Sequence, residues 1–115
     1  MKPAVTLKHN HDFRRLYSRG KSAVSPSMVV YCRRNGLDHN RLGFTVSTKL
    51  GGAVVRNRAR RRLREVCRLS GGNLKSGYDL VVVARVKAGH SRYREIERSL
   101  LSLADRLGLL RKEGA

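Results

Sequence analysis

Apolar residues near the N-terminus recur with the spacing of a helix. Residues at i, i+3 and i+4 share one helix face, and here that face consists of Phe13, Leu16 and Tyr17. Asn10 or Asp12 is a candidate N-cap, and Gly20 is a typical stop. The pattern predicts a short amphipathic helix over residues 10–18.

The next segments are typical of β-strands. Residues 21–25 predict a brief strand that ends before Pro26, and the β-branched and aromatic run at 28–32 predicts a stronger one. Asn35-Gly36 then indicates a turn. From Leu42 to Ser47 apolar residues alternate with small ones, as in a strand with one buried face. Its accessible face is small and polar and consists of Gly43, Thr45 and Ser47.

After Gly51-Gly52 the period becomes that of a helix. One stripe, at about 3.6 residues per turn, consists of Val55, Ala59, Leu63, Val66 and Cys67. The opposite arc carries Asn57, Arg60, Arg61, Arg64 and Arg68. We expect this helix to pack with one side and to present guanidinium groups with the other.

The last third of the chain predicts one strand and one helix. Continuous apolarity over residues 78–85 indicates a strand covered on both faces. Ser91 is a candidate cap for a final helix with apolar residues at alternating steps of three and four up to Leu110. That spacing also fits a coiled coil, but it spans fewer than three heptads and Gly108 interrupts it, which favours packing onto the sheet. The order of elements predicts an α+β sandwich.

The length fits one domain. A chain of 115 residues can bury about two-thirds of its unfolded surface, and no repeat or linker divides it. We expect a single domain over residues 1–115, with loose termini at 1–6 and 112–115.

Charge then restricts the partner. Lys and Arg number 26 against 8 Asp and Glu, so the formal net charge is +18, and such self-repulsion favours a polyanionic partner. The longest apolar run, Leu80 to Ala84, is far shorter than the roughly 20 residues of a membrane span. The N-terminus also lacks an apolar signal region. We therefore expect a cytoplasmic protein that does not enter membranes.

The charge is concentrated in one segment. Seven of the thirteen residues from Arg56 to Arg68 are arginine, against one carboxylate, Glu65. Like charges at i, i+4 destabilise a helix, and cations near its start oppose the macrodipole, so a bound anion is expected. Phosphate suits the planar guanidinium fork. Sequence readout in the major groove of DNA usually brings Asn or Gln alongside Arg, and here only Asn57 is available, so recognition of phosphate and shape is favoured.

Aromatic residues suggest a second contact. Single-stranded nucleic acid binds through stacking surfaces as well as charge, and Phe13, Tyr17 and Tyr31 lie close together in the chain. Core packing explains each of these rings equally well. The small polar face of the 42–47 strand favours an open groove beside them.

Nothing in the sequence indicates catalysis by the protein itself. The four histidines are scattered, and the carboxylates are too few for a two-metal nuclease centre. Cys32 and Cys67 lack partners at metal-ligand spacing and are expected to be small core residues. We expect neither a bound metal nor a small-molecule substrate.

One ordered series of residues resembles a known family. Residues 49–61, KLGGAVVRNRARR, followed by Arg64-Glu65, resemble the RNR signature of the bacterial ribonuclease P protein family. The resemblance extends from about Leu7 to Leu110 and includes Asp12-Phe13 and the strands at 41–47 and 82–85. Thr48 stands where many relatives carry lysine, and Gly52 where many carry asparagine.

The resemblance implies a fold and a function. The fold would be a two-layer α-β sandwich with a small mixed sheet of about four strands and three helices, in which the arginine-rich helix makes a left-handed crossover. The protein would assist a catalytic RNA that hydrolyses precursor tRNA to free the mature 5′ end. The chemistry would belong to that RNA and its Mg²⁺ ions.

The resemblance also implies two sets of contact residues. Contacts with the catalytic RNA would be made by Arg56, Asn57, Arg58, Arg60, Arg61, Arg64 and Arg68. A cleft for the single-stranded 5′ leader of precursor tRNA would be lined by Phe13, Tyr17 and Tyr31, with Arg14 and Lys49 at its edge. The alternatives are a structural ribosomal-type RNA-binding protein and a sequence-specific DNA-binding protein.

Overall fold

The computed structural model describes residues 5–111. Along the chain its elements are β1 (Val5–Thr6), α1 (Asn10–Arg19), β2 (Lys21–Val24), β3 (Met28–Arg34), β4 (Arg41–Val46), α2 (Ala53–Ser70), β5 (Tyr78–Ala84) and α3 (Tyr93–Arg106). Three 3₁₀ turns lie at Thr48–Leu50, Gly71–Asn73 and Val86–Gly89.

The strands form one mixed sheet in the order β1-β4-β5-β3-β2. β4 pairs in parallel with both β1 and β5, whereas β3 pairs antiparallel with β5 and β2. Because β4 and β5 are parallel neighbours, α2 is the crossover between them, as predicted. The α+β fold class is confirmed.

The sheet has one strand more than the expected four. Val5 and Thr6 were predicted to belong to a loose terminus, but they pair with Arg41 and Leu42 at the sheet edge. The rest of the predicted loose termini, residues 1–4 and 112–115, lies outside the described residues.

Helices cover both faces of the sheet. On one face, Leu80 and Val82 of β5 join the main core beneath α2 and α3. On the other, Val81 packs with Leu7 and Leu16 in a smaller core beneath α1. β5 is thus covered on both faces, as its continuous apolarity predicts, and α1 adds a partial third layer to the expected two-layer sandwich.

The packing of α2 and α3 follows the predicted stripes. α2 buries Ala59, Leu63, Val66 and Cys67, and α3 buries Ile96, Leu100, Leu103 and Ala104. The residues of both helices belong to the main core. The repeat in α3 therefore serves packing onto the sheet, as favoured over a coiled coil.

The C-terminal end of α3 is set by Gly108. Its φ is +72°, a left-handed conformation that glycine adopts without strain. The Gly108 N–H donates to the carbonyl of Asp105, and the Leu109 N–H donates to that of Ala104. This pair of bonds is a Schellman motif, and it turns Leu109 back into the core.

The predicted N-caps were wrong. α1 begins after His9, so Asn10 and Asp12 lie inside its first turn. α3 begins at Tyr93, after Arg92, and the hydroxyl of Ser91 instead donates to the carbonyl of Lys87 at 2.8 Å. Serine is a common N-cap residue, but here the hydroxyl of Ser91 is hydrogen-bonded to the preceding 3₁₀ turn and does not cap α3.

Both cysteines are free and buried, as predicted. Burial raises the pKa of the Cys67 thiol to about 12, so the thiol stays protonated at neutral pH. Within residues 5–111, no helix is both long and apolar enough to cross a membrane.

Candidate nucleic-acid interface

One face of α2 presents cationic groups away from the core. Opposite the buried stripe lie Asn57, Arg60, Arg61, Arg64 and Arg68, which we call the arginine ridge. Four of these side chains are exposed and Arg60 is half-buried. The placement agrees with the helical periodicity read from the sequence.

Pairing within the ridge leaves much of its charge available. Arg60 donates to the side-chain oxygen of Asn57 at 3.3 Å, and Arg68 makes two bonds to Glu65, at 2.6 and 3.1 Å. The hydrogen bond from Arg68 lowers the pKa of Glu65 below its ordinary value. Arg61 and Arg64 have no ionic or hydrogen-bond partner in the described part of the chain, so both can take a phosphate.

Two other arginines of α2 point elsewhere. Arg58 donates to the carbonyl of Gly89 at 3.4 Å, and Arg62 donates to that of Ser91 at 2.7 Å. These bonds hold the segment between β5 and α3 against α2. Arg58, which the resemblance assigns to the RNA contact, therefore lies off the ridge.

Arg56 also departs from the ridge. It is half-buried in the first turns of α2, and its Nε is buried without a hydrogen-bond partner among residues 5–111. The structure thus separates Arg56 and Arg58 from the other five predicted contacts. The residue types alone do not distinguish Arg56 and Arg58 from the arginines of the ridge, because all of them lie on the same arginine-rich helix.

A cleft lies between α1 and the edge of β4. It has a volume of about 600 Å³ and is lined by Asn10, Phe13, Arg14, Tyr17, Phe44, Thr45, Val46 and Arg60. Three of the five predicted leader contacts, Phe13, Arg14 and Tyr17, are therefore in its wall. Arg60 belongs to both the cleft and the arginine ridge, so the two surfaces are continuous.

The other two predicted leader contacts lie around this cleft. Tyr31 is half-buried beneath α1, and its ring meets that of Tyr17 edge-to-face at a centroid distance of 4.9 Å. Tyr17 in turn shares a hydrogen bond of 3.2 Å with the Thr45 hydroxyl. Lys49 is exposed in the 3₁₀ turn after β4 and is not among the lining residues.

Phe44 and Val46 were missed as lining residues. Their alternation indicates burial, and both do pack against the main core. They reach the cleft because β1 pairs only with Arg41 and Leu42, so the edge of β4 is open beyond that point. A strand of two residues, such as β1, has too few positions to show an alternating pattern. The sequence therefore does not reveal that the edge of β4 is open.

The donors for a metal ion are not gathered at this site. Across the described residues, no three His, Cys, Asp or Glu side chains are grouped so that they could hold a metal ion. The side chains around the cleft offer aromatic rings and guanidinium groups instead, which suit bases and phosphates.

Comparisons with known proteins agree with this geometry. A family model described as Ribonuclease P matches residues 1–108. The chain is 42% identical over 104 residues to the ribonuclease P protein component of Alkaliphilus metalliredigens, covering 90% of this chain and 94% of that protein. It is 43% identical over 111 residues to that of Clostridium novyi, covering 95% and 98%.

Solved structures show the same fold. The ribonuclease P protein of Staphylococcus aureus superposes with a TM-score of 0.84 at 35% identity, covering 94% of this chain and 99% of that one. The protein from Thermotoga maritima gives a TM-score of 0.80 at 34% identity, covering 88% and 96%. The chain belongs to the bacterial ribonuclease P protein family.

Proposed function

We propose that this protein binds the catalytic RNA of ribonuclease P through the arginine ridge and the 5′ leader of precursor tRNA in the cleft. The position of Arg60 carries this proposal. Because its side chain belongs to both surfaces, RNA on the ridge and a strand in the cleft would lie side by side. The protein would thus bring the leader to the RNA subunit.

The chemistry of the cleft favours a single strand over a duplex. Phe13 and Tyr17 offer ring surfaces on which unpaired bases can stack, and Arg14 and Arg60 can neutralise the adjoining phosphates. Bases in a duplex are already stacked and cannot use these rings. A leader is single-stranded, which is the form that the cleft suits.

The protein would contribute charge and position, and the RNA the chemistry. Hydrolysis of precursor tRNA needs Mg²⁺, and we assign those ions to the RNA because residues 5–111 of this protein gather no suitable set of donors. A formal charge of +18 would lower the repulsion between the two RNAs. The gain in precursor binding should be largest at low Mg²⁺, because few metal ions are then present to screen the phosphates. We expect this both in the cytoplasm and in a reconstituted reaction.

The test is reconstitution with a bacterial ribonuclease P RNA. Cleavage of precursor tRNA at low Mg²⁺ should rise when the protein is added, and precursor should bind more tightly than mature tRNA, which has no leader. No gain in cleavage would refute the assignment to this enzyme. RNA binding without leader dependence would instead favour a structural ribosomal-type role.

Two matched variants locate the leader. Tyr17→Ala removes a stacking surface and should weaken precursor binding about tenfold, since such a contact is worth roughly 1–3 kcal/mol. Tyr17→Phe keeps the ring and loses only the hydrogen bond to Thr45, so it should bind nearly as the wild type does. Equal losses in both variants would contradict stacking in the cleft.

A further inference from the structure

A partly buried ionic cluster lies beneath the start of α1, outside the cleft and the ridge. Arg41 of β4 makes a two-point contact with Asp79 of β5, with bonds of 2.7 and 2.5 Å. Asn35 adds a bond of 3.0 Å to the same carboxylate. These contacts fix the guanidinium of Arg41 within the sheet.

Asp12 reaches this guanidinium from α1. Its Oδ1 lies 3.7 Å from Nη2 of Arg41 and 3.5 Å from Nε2 of His11, and the Asp12 side chain is only 6% exposed. Burial of a carboxylate is unfavourable unless a cation compensates it. The position of α1 that brings Asp12 to Arg41 is therefore preferred over positions that separate them.

α1 also contacts the sheet through the half-buried Phe13 ring and the hydrogen bond between Tyr17 and Thr45, but few of its side chains are buried. In a helix of ten residues, only Asp12 and Leu16 are buried. Apolar contact through Leu16 is not directional and permits small rotations and shifts, whereas the ion pair with Arg41 favours the rotation that keeps Asp12 facing β4. Asp12 is thus the buried polar side chain that holds the start of α1 to β4.

That rotation sets the geometry of the cleft. Phe13 follows Asp12 directly, and Tyr17 lies just over one turn further along the same helix. Both rings project from α1, so a small rotation would move them relative to β4. The affinity for a ligand that stacks on these rings would therefore depend on Asp12, although Asp12 does not line the cleft.

We propose that Asp12 and Arg41 are positioning residues that hold α1 over the sheet and so keep the cleft ready for the leader. This inference rests on the proposed function, because it assumes that the leader occupies the cleft. It predicts a loss of leader affinity from a residue that does not line the cleft.

Asp12→Asn tests the proposal, because charge and position predict opposite results. The substitution raises the formal net charge from +18 by one unit, and a purely electrostatic effect would strengthen RNA binding. Loss of positioning would weaken the binding of precursor tRNA to the reconstituted enzyme, by about tenfold. Binding of mature tRNA and of the RNA subunit should stay the same.

Asp105→Asn is the matched control. Asp105 is exposed on α3, across the sheet from α1, and the same change of charge there should not weaken the binding of precursor. Arg41→Gln breaks the cluster from the other side and should reproduce the leader-specific loss. If both cluster variants bind precursor as tightly as the wild type, and the wild type still prefers precursor over mature tRNA, the positioning role is refuted. The proposed function would then still stand.

A double variant separates positioning from simple loss of stability. If Asp12 acts through the rings of α1, Asp12→Asn should add almost no further loss of precursor affinity in a Tyr17→Ala background. Additive losses would show that Asp12 acts independently of the cleft. Cluster variants that fail to fold, or that lose affinity for the RNA subunit equally, would show a general structural role and overturn the proposal. An absence of leader dependence in the wild type would instead refute the proposed function.

Discussion

The ring of Phe13 lies directly on the backbone of Gly43. A Cβ at residue 43 would be 2.6 Å from Cζ of Phe13 and 2.7 Å from Cε1, far inside van der Waals contact. Glycine at this position therefore lets α1 approach the sheet. The small face that alternation predicts for β4 is thus the surface on which α1 packs, next to the cleft.

Gly43→Ala should displace the Phe13 ring. The ring is the end of a movable side chain, so we expect a modest loss of about 1 kcal/mol in the free energy of unfolding, measured with urea. Affinity for precursor tRNA should fall more clearly, since Phe13 lines the cleft. Gly72→Ala is the control, because its Cβ would meet nothing within 4 Å and no effect on affinity is expected.

Substitution of two adjacent arginines of α2 should affect different properties, namely RNA affinity for one and stability for the other. Arg61→Gln removes an exposed guanidinium of the arginine ridge, so RNA affinity should fall and its log–log salt slope should shrink by about 0.7 to 0.9, with stability unchanged. Arg62→Gln breaks the bond to Ser91, so the free energy of unfolding should fall by about 1 kcal/mol with the salt slope preserved.

The two measurements check each other. Urea unfolding and RNA titration at several salt concentrations, done on both variants, would show which arginine faces the polyanion. A reduced salt slope for Arg62→Gln, with none for Arg61→Gln, would mean that the ridge has been placed on the wrong side of α2.

Glu65 should oppose RNA binding. It is the one carboxylate on α2, and it holds Arg68 through two hydrogen bonds. Glu65→Gln removes a negative charge and frees this guanidinium, so RNA affinity should rise and the salt slope should steepen. A weaker complex would instead indicate that Glu65 keeps Arg68 in the orientation that RNA needs.

The pH dependence of this pair has a definite sign. Arg68 lowers the pKa of Glu65, so the pair forms above the ordinary glutamate pKa of 4.5 and is lost as the pH falls through the lowered value. Any tightening of RNA binding caused by neutralising Glu65 should therefore appear only below pH 4.5. In Glu65→Gln that part of the pH dependence should be absent.

Cys67 should lower stability at alkaline pH. Burial raises its pKa from 9.0 to about 12, so between these values the unfolded chain loses a proton that the folded chain keeps. The free energy of unfolding should consequently fall as the pH rises above 9. Comparison with Cys67→Ala isolates this effect, because the variant should lack that part of the slope.

Alkylation gives an independent check on the same residue. At pH 8 a thiol-directed reagent should leave Cys67 unmodified in the folded protein and should modify it in guanidinium chloride. Rapid labelling without denaturant would show that the main core opens around α2.

The sequence by itself determined the elements and the chemical character of the two surfaces. Period-2 alternation identified β4 and its small face, and period-3.6 spacing divided α2 into a buried stripe and an arginine ridge, because these patterns depend only on local backbone geometry. The arginine content and the early aromatic rings were equally visible, so a polyanionic partner followed from composition.

Only the tertiary structure decided which of these residues share a site. Arg60 joins the cleft, Arg58 and Arg62 turn toward the segment before α3, and Phe44 is reached through an open strand edge. Each outcome depends on elements far apart in the chain, and so does the meeting of Asp12 with Arg41. Local periodicity places a residue on a face of its own element, but the partner of that face is set by the packing of the whole domain.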